Sequence, residues 1–299
     1  VSAHLRPGTT PLKFAPEYES WLVESMRHAA NDDYWRQNAI VDHPDEYQDI
    51  PVYLVGGWYD SWAGNTTANY RALSRRLESD VYLIMGPWIH GAQGGGQHGQ
   101  VSFGSEAAIA EPLTWRRRWF DRWLRDDESV IGREAPFRTK VRIFVMGTGT
   151  GRRNADGLLD HGGSWREEAE WPPARAVATP YYLHGDGGLD TTAPAAEPGG
   201  PTAAAEPRSQ AAATSYEFDP RDPVPTIGGC ISSGNDILLQ GAWDQRGGPH
   251  VWNFLEPLPL SARNDVVVFQ TEPLAADVEV TGELEVRLWV SSSAVDTDF

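Results

Sequence analysis

Apolar positions fall into two textures along the chain. Pro51 to Val55 (PVYLV) and Val81 to Met85 (VYLIM) are short continuous apolar runs rich in β-branched and aromatic residues, the pattern of strands buried on both faces of a parallel sheet. Between them, Thr66 to Leu77 follows helical spacing, with Asn65 and Thr66 as caps and Ala68, Ala72, Leu73 and Leu77 on one stripe. Strand, helix and strand make one crossover, which can lay the two strands side by side. Helical patterning is also present in Tyr18 to Ala29, around Asp33 to Ala39, and in Trp115 to Leu124 (WRRRWFDRWL).

Beyond about residue 133 the texture changes. Val141 to Met146, Pro180 to Leu183, Val266 to Phe269, Val278 to Val280 and Leu284 to Val290 are short alternating segments broken by Gly, Pro and Asp. Such a series predicts a β-sandwich. Residues 191–214, mostly Ala, Pro, Glu, Thr and Gly, hold too little apolar surface to offset the entropy of ordering, and predict a disordered loop. The expected fold class is therefore α/β followed by β.

Each parallel-strand run leads into a motif, GGWYD (Gly56 to Asp60) after the first and GPWIH (Gly86 to His90) after the second. Asp60 and His90 thus fall just past the carboxyl ends of neighbouring strands, where open α/β sheets place their ligands. An aspartate and a histidine so delivered suit a catalytic triad. The carboxylate takes the imidazole Nδ1 proton in a hydrogen bond and fixes the tautomer, and Nε2 then relays the proton of a nucleophile. The bland alternative for Asp60 is a helix cap or turn. Trp58, Tyr59, Trp62 and Trp88 surround the pair; Trp58, Tyr59 and Trp88 are candidate substrate-binding residues, with core packing as the alternative for the tryptophans.

Composition narrows the classes. Forty-two acidic against twenty-five basic residues give a formal net charge of -17, which repels nucleic acid and anionic membrane. Arg116, Arg117, Arg118, Arg122 and Arg125 alternate with Trp115, Trp119, Trp123 and Leu124, which reads as the solvated face of an amphipathic helix and not as a phosphate patch. No apolar run approaches the about 20 residues that span a bilayer. Cys230 is the single cysteine, so it has no internal disulfide partner; after Gly228 and Gly229 it reads as a small apolar filler. Of eight histidines only His90 has a chemical address; His98, in the glycine-rich run Gly94 to Gly99, reads as a solvated loop residue, and no third ligand completes a metal site with the two. No cofactor and no metal are expected.

The pair GGWYD and GPWIH resembles the CocE/NonD hydrolases, the group containing cocaine esterase, X-Pro dipeptidyl-peptidases and α-amino acid ester hydrolases. The similarity extends to Trp115 to Leu124, Val141 to Gly147 (VRIFVMG), Tyr216 to Thr226 (YEFDPRDPVPT), Asp296 to Phe299 (DTDF) and Asp32 to Trp35 (DDYW). It implies an α/β-hydrolase with a serine nucleophile, a helical cap and a C-terminal jelly roll. The expected division is the end of the cap at residues 1–48, the C-terminal half of the α/β-hydrolase domain at 49–132, and an incomplete jelly-roll β-sandwich at 133–299. In such a cap, Trp21, Tyr34 and Trp35 would face substrate. An ammonium-binding role for Asp32 and Asp33 is not carried over, because Asp33 can simply open a helix at its N-terminus.

The family's nucleophile elbow, GxSYxG, precedes the acid and base, and no such elbow occurs in the sequence. Ser105, Ser164 and Ser233 lie beside glycines but follow His90 and lack the pattern. The resemblance therefore implies an internal fragment whose serine lies upstream of Val1. The expected function is a serine hydrolase acting on ester or amide bonds, inactive in this piece alone, with esterase or acylase preferred to X-Pro dipeptidyl-peptidase. The alternative class is a non-enzymatic ligand-binding β-sandwich on an α/β scaffold. Expected partners are a small-molecule ester, amide or short peptide, with neither nucleic acid nor membrane, and a homo-oligomer is left open. The true N-terminus is not visible, so export stays open beside a cytoplasmic default.

Overall fold

In a computed structural model of the chain, the described residues are 6–8, 10, 12–130, 139–194, 213–231, 239–247, 258–294 and 297. Along the sequence run α1 (Pro16–Arg27), α2 (Asp33–Arg36), β1 (Val52–Tyr59), α3 (Ala63–Arg76), β2 (Val81–Ile89), β3 (Gln97–His98), β4 (Val101–Ser102) and α4 (Pro112–Arg125). There follow β5 (Val141–Met146), β6 (Leu159–Asp160), β7 (Gly163–Glu168), β8 (Tyr182–Leu183) and β9 (Leu189–Asp190). The chain divides into two compact units, one of residues 1–52, 68–81 and 283–299, the other of 53–67 and 82–282. No helix among the described residues is long and apolar enough to cross a membrane.

In the first unit, Pro16 opens α1 and the acidic Glu17 and Glu19 occupy its first turn, where the helix dipole favours them. Glu19 is buried, yet its carboxylate accepts from the Gly8 N–H at 2.7 Å, the Thr10 N–H at 3.2 Å and the Thr10 hydroxyl at 2.8 Å. Those donors hold its carboxyl below the usual range. Asp32 caps α2 by accepting from the Tyr34 N–H at 3.0 Å, and its other oxygen lies 2.6 Å from His28 Nδ1. The His28 ring stacks on Tyr34 at 4.3 Å. The acidic pair thus starts a helix, Asp32 as its cap and Asp33 as its first residue.

The second unit is built on a four-stranded sheet of order β1-β2-β5-β7. β2 pairs parallel with β5, Leu83 beside Val141 and Met85 beside Ile143, and β5 pairs antiparallel with β7 from Val141–Glu168 to Met146–Gly163. The sheet therefore runs across the divide expected near residue 132, because the alternating segment at Val141 adds directly to the second apolar run. Central β2 is buried over all but its last residue, as the reading of VYLIM requires. The first run differs. β1 is only half-buried except at Gly56 and Gly57, since it is the edge strand, and it continues four residues past Val55 so that GGWY belongs to the strand. α3 likewise begins at Ala63, and its buried positions are Thr67, Tyr70 and Leu73, with Leu77 buried just past its end, not the alanines.

Two apolar clusters flank the site. Ile84, Trp88 and Trp115 pack with Tyr53, Val55, Ile109, Trp119 and Trp165; Val101, Phe103, Ala107 and Phe144 pack with Tyr59 and Leu159. α4 turns Trp115 inward and exposes Arg116, Arg117 and Arg125, while Leu124, expected on the packed face, is exposed. Beyond Asp190 the described residues form isolated bridges, Gly188 to Gln270 and Gly229 to Gly241 among them, and no ladder at Val266–Phe269, Val278–Val280 or Leu284–Val290. Those segments keep the alternation of strands, but Val280 and Val286 are 69% and 77% exposed, so the face that alternation creates is uncovered in this chain. Residues 195–212 of the expected disordered loop lie outside the described residues.

Candidate active site

β1 ends at Tyr59 and β2 at Ile89, which puts Asp60 and His90 on the first position beyond each strand. Close approach of the two strand ends depends on Gly57. A Cβ there would stand 2.2 Å from the Trp88 carbonyl oxygen, so only glycine lets β1 lie against β2 at this level. Past the strands the Asp60 N–H donates to the Gly57 carbonyl at 3.1 Å, and the Ala63 N–H donates to the Asp60 carbonyl at 3.1 Å, so the chain turns tightly into α3.

His90 Nδ1 lies 3.0 Å from Asp60 Oδ2. A carboxylate oxygen accepts in this contact, so Nδ1 is the donor, and the tautomer with its proton on Nδ1 carries the lone pair on Nε2. Asp60 Oδ1 meanwhile accepts from the Trp62 N–H at 3.0 Å. The turn role and the histidine-orienting role thus use different oxygens of one side chain. The carboxylate is mostly covered, 12% exposed, whereas the imidazole is 55% exposed. The Trp62 ring lies 4.8 Å from the imidazole at 59° and covers one side of it.

The aromatic residues of the two motifs separate. Trp88 is fully buried, its indole N–H donates to the Ala107 carbonyl at 2.9 Å, and it packs with Ile84 and Trp115. It is a core residue and offers no surface to a ligand, a correction to its place among the substrate-binding candidates. Trp58 is half-buried, donates to the Phe144 carbonyl at 2.8 Å and lies 5.6 Å from the Trp171 ring. Tyr59 is half-buried against the Phe103 cluster, and burial, with the Cys230 thiol adding to it, pushes its hydroxyl pKa up.

His98 is not a solvated loop residue. It is 3% exposed, sits in β3, and its Nε2 lies 3.1 Å from the Gly95 carbonyl, with burial lowering its pKa. Cys230 is not a buried filler either; the residue is exposed and its Sγ donates to the Trp58 carbonyl at 3.2 Å. The Ser61 hydroxyl donates to the Cys230 carbonyl at 3.1 Å. No local signal in the sequence could have found this contact, because the partners are 169 positions apart. Among the described residues, no group of three His, Cys, Asp or Glu side chains could hold a metal ion.

A family model described as the X-Pro dipeptidyl-peptidase C-terminal non-catalytic domain matches residues 138–299. A second, described as X-Pro dipeptidyl-peptidase (S15 family), matches residues 5–92, which include both Asp60 and His90. The chain is 34% identical over 282 residues to the cocaine esterase of Rhodococcus sp. (strain MB1 Bresler), an alignment covering 93% of this chain and 42% of that protein. This chain therefore spans less than half the length of that relative. A crystal structure of an aminopeptidase from a marine sediment archaeon, Thaumarchaeota archaeon, overlaps 62% of this chain and 28% of its own with 21% identity and a TM-score of 0.43, a likeness too slight to argue from. With the first model matching more than half of the residues and the esterase aligned along nearly all of them, the chain belongs to the CocE/NonD family of hydrolases.

Proposed function

We propose that this chain supplies the acid and base of a Ser-His-Asp triad, Asp60 and His90, in a serine hydrolase that cleaves ester or amide bonds by acyl transfer. The observation that carries the reading is the 3.0 Å contact between a covered carboxylate and a half-exposed imidazole at adjacent strand ends. Asp60 holds His90 with Nε2 turned outward. Nε2 takes the proton of the serine hydroxyl as its oxygen attacks the acyl carbon, and returns it to the departing alcohol or amine; water then repeats the cycle on the acyl-enzyme.

The serine, and the main-chain N–H after it that would help stabilise the oxyanion, are assigned to a segment outside these 299 residues. Two facts support this: the sequence has no GxSYxG elbow, and the alignment with the related esterase covers 93% of this chain but only 42% of that protein. By the same likeness, residues 1–48 are the end of a helical cap, 49–132 part of the hydrolase domain and 133–299 a jelly-roll domain. Trp58 and Tyr59 remain candidates for the wall of the acyl pocket, with Trp62 beside the imidazole.

Within the class, an esterase or acylase is preferred, supported by 34% identity to an esterase. An X-Pro dipeptidyl-peptidase is the second reading, favoured by the descriptions of the two family models. The intact enzyme should react with a fluorophosphonate at one serine, and His90→Ala should abolish that labelling. Rapid labelling of the His90→Ala enzyme at that serine would overturn the assignment. Turnover of aryl esters exceeding that of X-Pro anilides separates the two subtypes.

A further inference from the structure

We propose that Ser61 and Cys230 are positioning residues for the acid of the triad: a two-bond clasp between the turn after β1 and the segment around Gly229 that fixes where Asp60 presents its carboxylate. The inference rests on the functional reading above and adds to it a part for the region matched by the model called non-catalytic.

The clasp is reciprocal. Ser61 donates its hydroxyl proton to the Cys230 carbonyl at 3.1 Å, and Cys230 donates its thiol proton to the Trp58 carbonyl at 3.2 Å. The two bonds flank Asp60 on both sides, two residues before it and one after. Within the turn the carboxylate also accepts from the Trp62 N–H, a local bond that moves with the turn. The Cys230 bonds come from a segment that is itself fixed elsewhere. Gly229 and Gly241 exchange N–H···O bonds of 2.7 and 3.1 Å, the Gln100 N–H donates to the Ala242 carbonyl at 2.7 Å, and the Gln245 amide donates to the Ile227 carbonyl at 2.7 Å. The segment is thereby tied to the loop that follows His90, so one structure braces the acid turn and the chain beyond the base. Partial desolvation, and then the negative charge of Asp60, raise the thiol pKa, so the sulfur keeps the proton that it donates.

The test uses the intact enzyme and an aryl ester, with Cys230→Ala, Cys230→Ser, Ser61→Ala, the double alanine variant and Asp60→Asn. Cys230→Ala and Ser61→Ala should each lower kcat about three- to tenfold, the effect of one ordinary hydrogen bond, with KM unchanged. Cys230→Ser, which keeps a donor, should restore most of kcat. The double variant should fall no further than the worse single one, because either break opens the same clasp. Ser61 is exposed, so its variant tests the idea even if Cys230→Ala folds poorly. Wild-type kcat in Ser61→Ala and Cys230→Ala, while Asp60→Asn is crippled, overturns the clasp and leaves the triad standing. Wild-type kcat in Asp60→Asn overturns the triad itself.

Discussion

The Asp60 carboxylate sits behind His90, 12% exposed against 55% for the imidazole to which it is bonded at 3.0 Å. That ordering suits the proton relay proposed for the pair, in which the carboxylate stays covered while the ring edge that would meet a nucleophile stays open.

Asp60→Asn and His90→Ala should each lower kcat/KM of the intact enzyme about 10³-fold or more, the scale on which triads lose their members. The asparagine amide can present N–H to Nδ1 and so favour the wrong imidazole tautomer. Circular dichroism and thermal unfolding should be nearly unchanged for His90→Ala, whose side chain is half exposed. Turnover within tenfold of wild type in either variant contradicts the assignment.

Gly57→Ala should damage both stability and activity. Its Cβ would meet the Trp88 carbonyl at 2.2 Å, a backbone atom that cannot rotate away, so β1 and β2 must part just before Asp60 and His90. Overpacking of this kind costs about 1–3 kcal/mol. Thermal unfolding and steady-state kinetics check it, and an alanine variant with wild-type Tm and kcat would show that the strands tolerate the wider spacing.

Trp88→Phe should act on stability and leave KM alone. The change leaves the Ala107 carbonyl without its indole donor in a buried site, at a cost of about 1–3 kcal/mol. Urea unfolding measures the loss. A raised KM at unchanged stability would return Trp88 to the substrate pocket.

Glu279 should make stability fall with acid. The Arg166 guanidinium at 2.7 Å, with the Thr281 hydroxyl, lowers its carboxyl from 4.5 to about 2. A carboxyl lowered on folding contributes stability that is fully present above its unfolded value and is lost as pH falls toward its folded one, here between about 4.5 and 2. Glu168 is held low by Arg175 and Arg166 and adds to the same trend. Denaturant unfolding across this window should show a shallower acid loss in Glu279→Gln than in wild type; superimposable pH profiles would remove Glu279 as a contributor.

Both parallel strands, the four helices and the strand at Val141 were legible because each is set by local periodicity. So was the chemical pair, since a polar residue just past a buried run can only lie at a strand end. Other features were not. The GGWYD motif reads as following a strand, yet GGWY lies within β1, because glycine carries no periodic signal and the limit is set by pairing with β2. Trp88 and Trp58 are equivalent in sequence, each beside a turn-forming residue. Only packing sends Trp88 into the core, while Trp58 stays half exposed. The alternating segments after Val266 have strand sequences without strand ladders, for a ladder needs a partner and alternation does not name one.

The sequence by itself determined the local elements and the place of Asp60 and His90 just past two strands, because these follow from side-chain spacing that any neighbourhood would retain. Tertiary structure alone decided that Asp60 and His90 touch, that His98 is buried, and that Cys230 closes on the turn at Ser61. Such contacts join residues 30 to 169 positions apart, and they are fixed by strand pairing and loop closure, to which no local pattern corresponds.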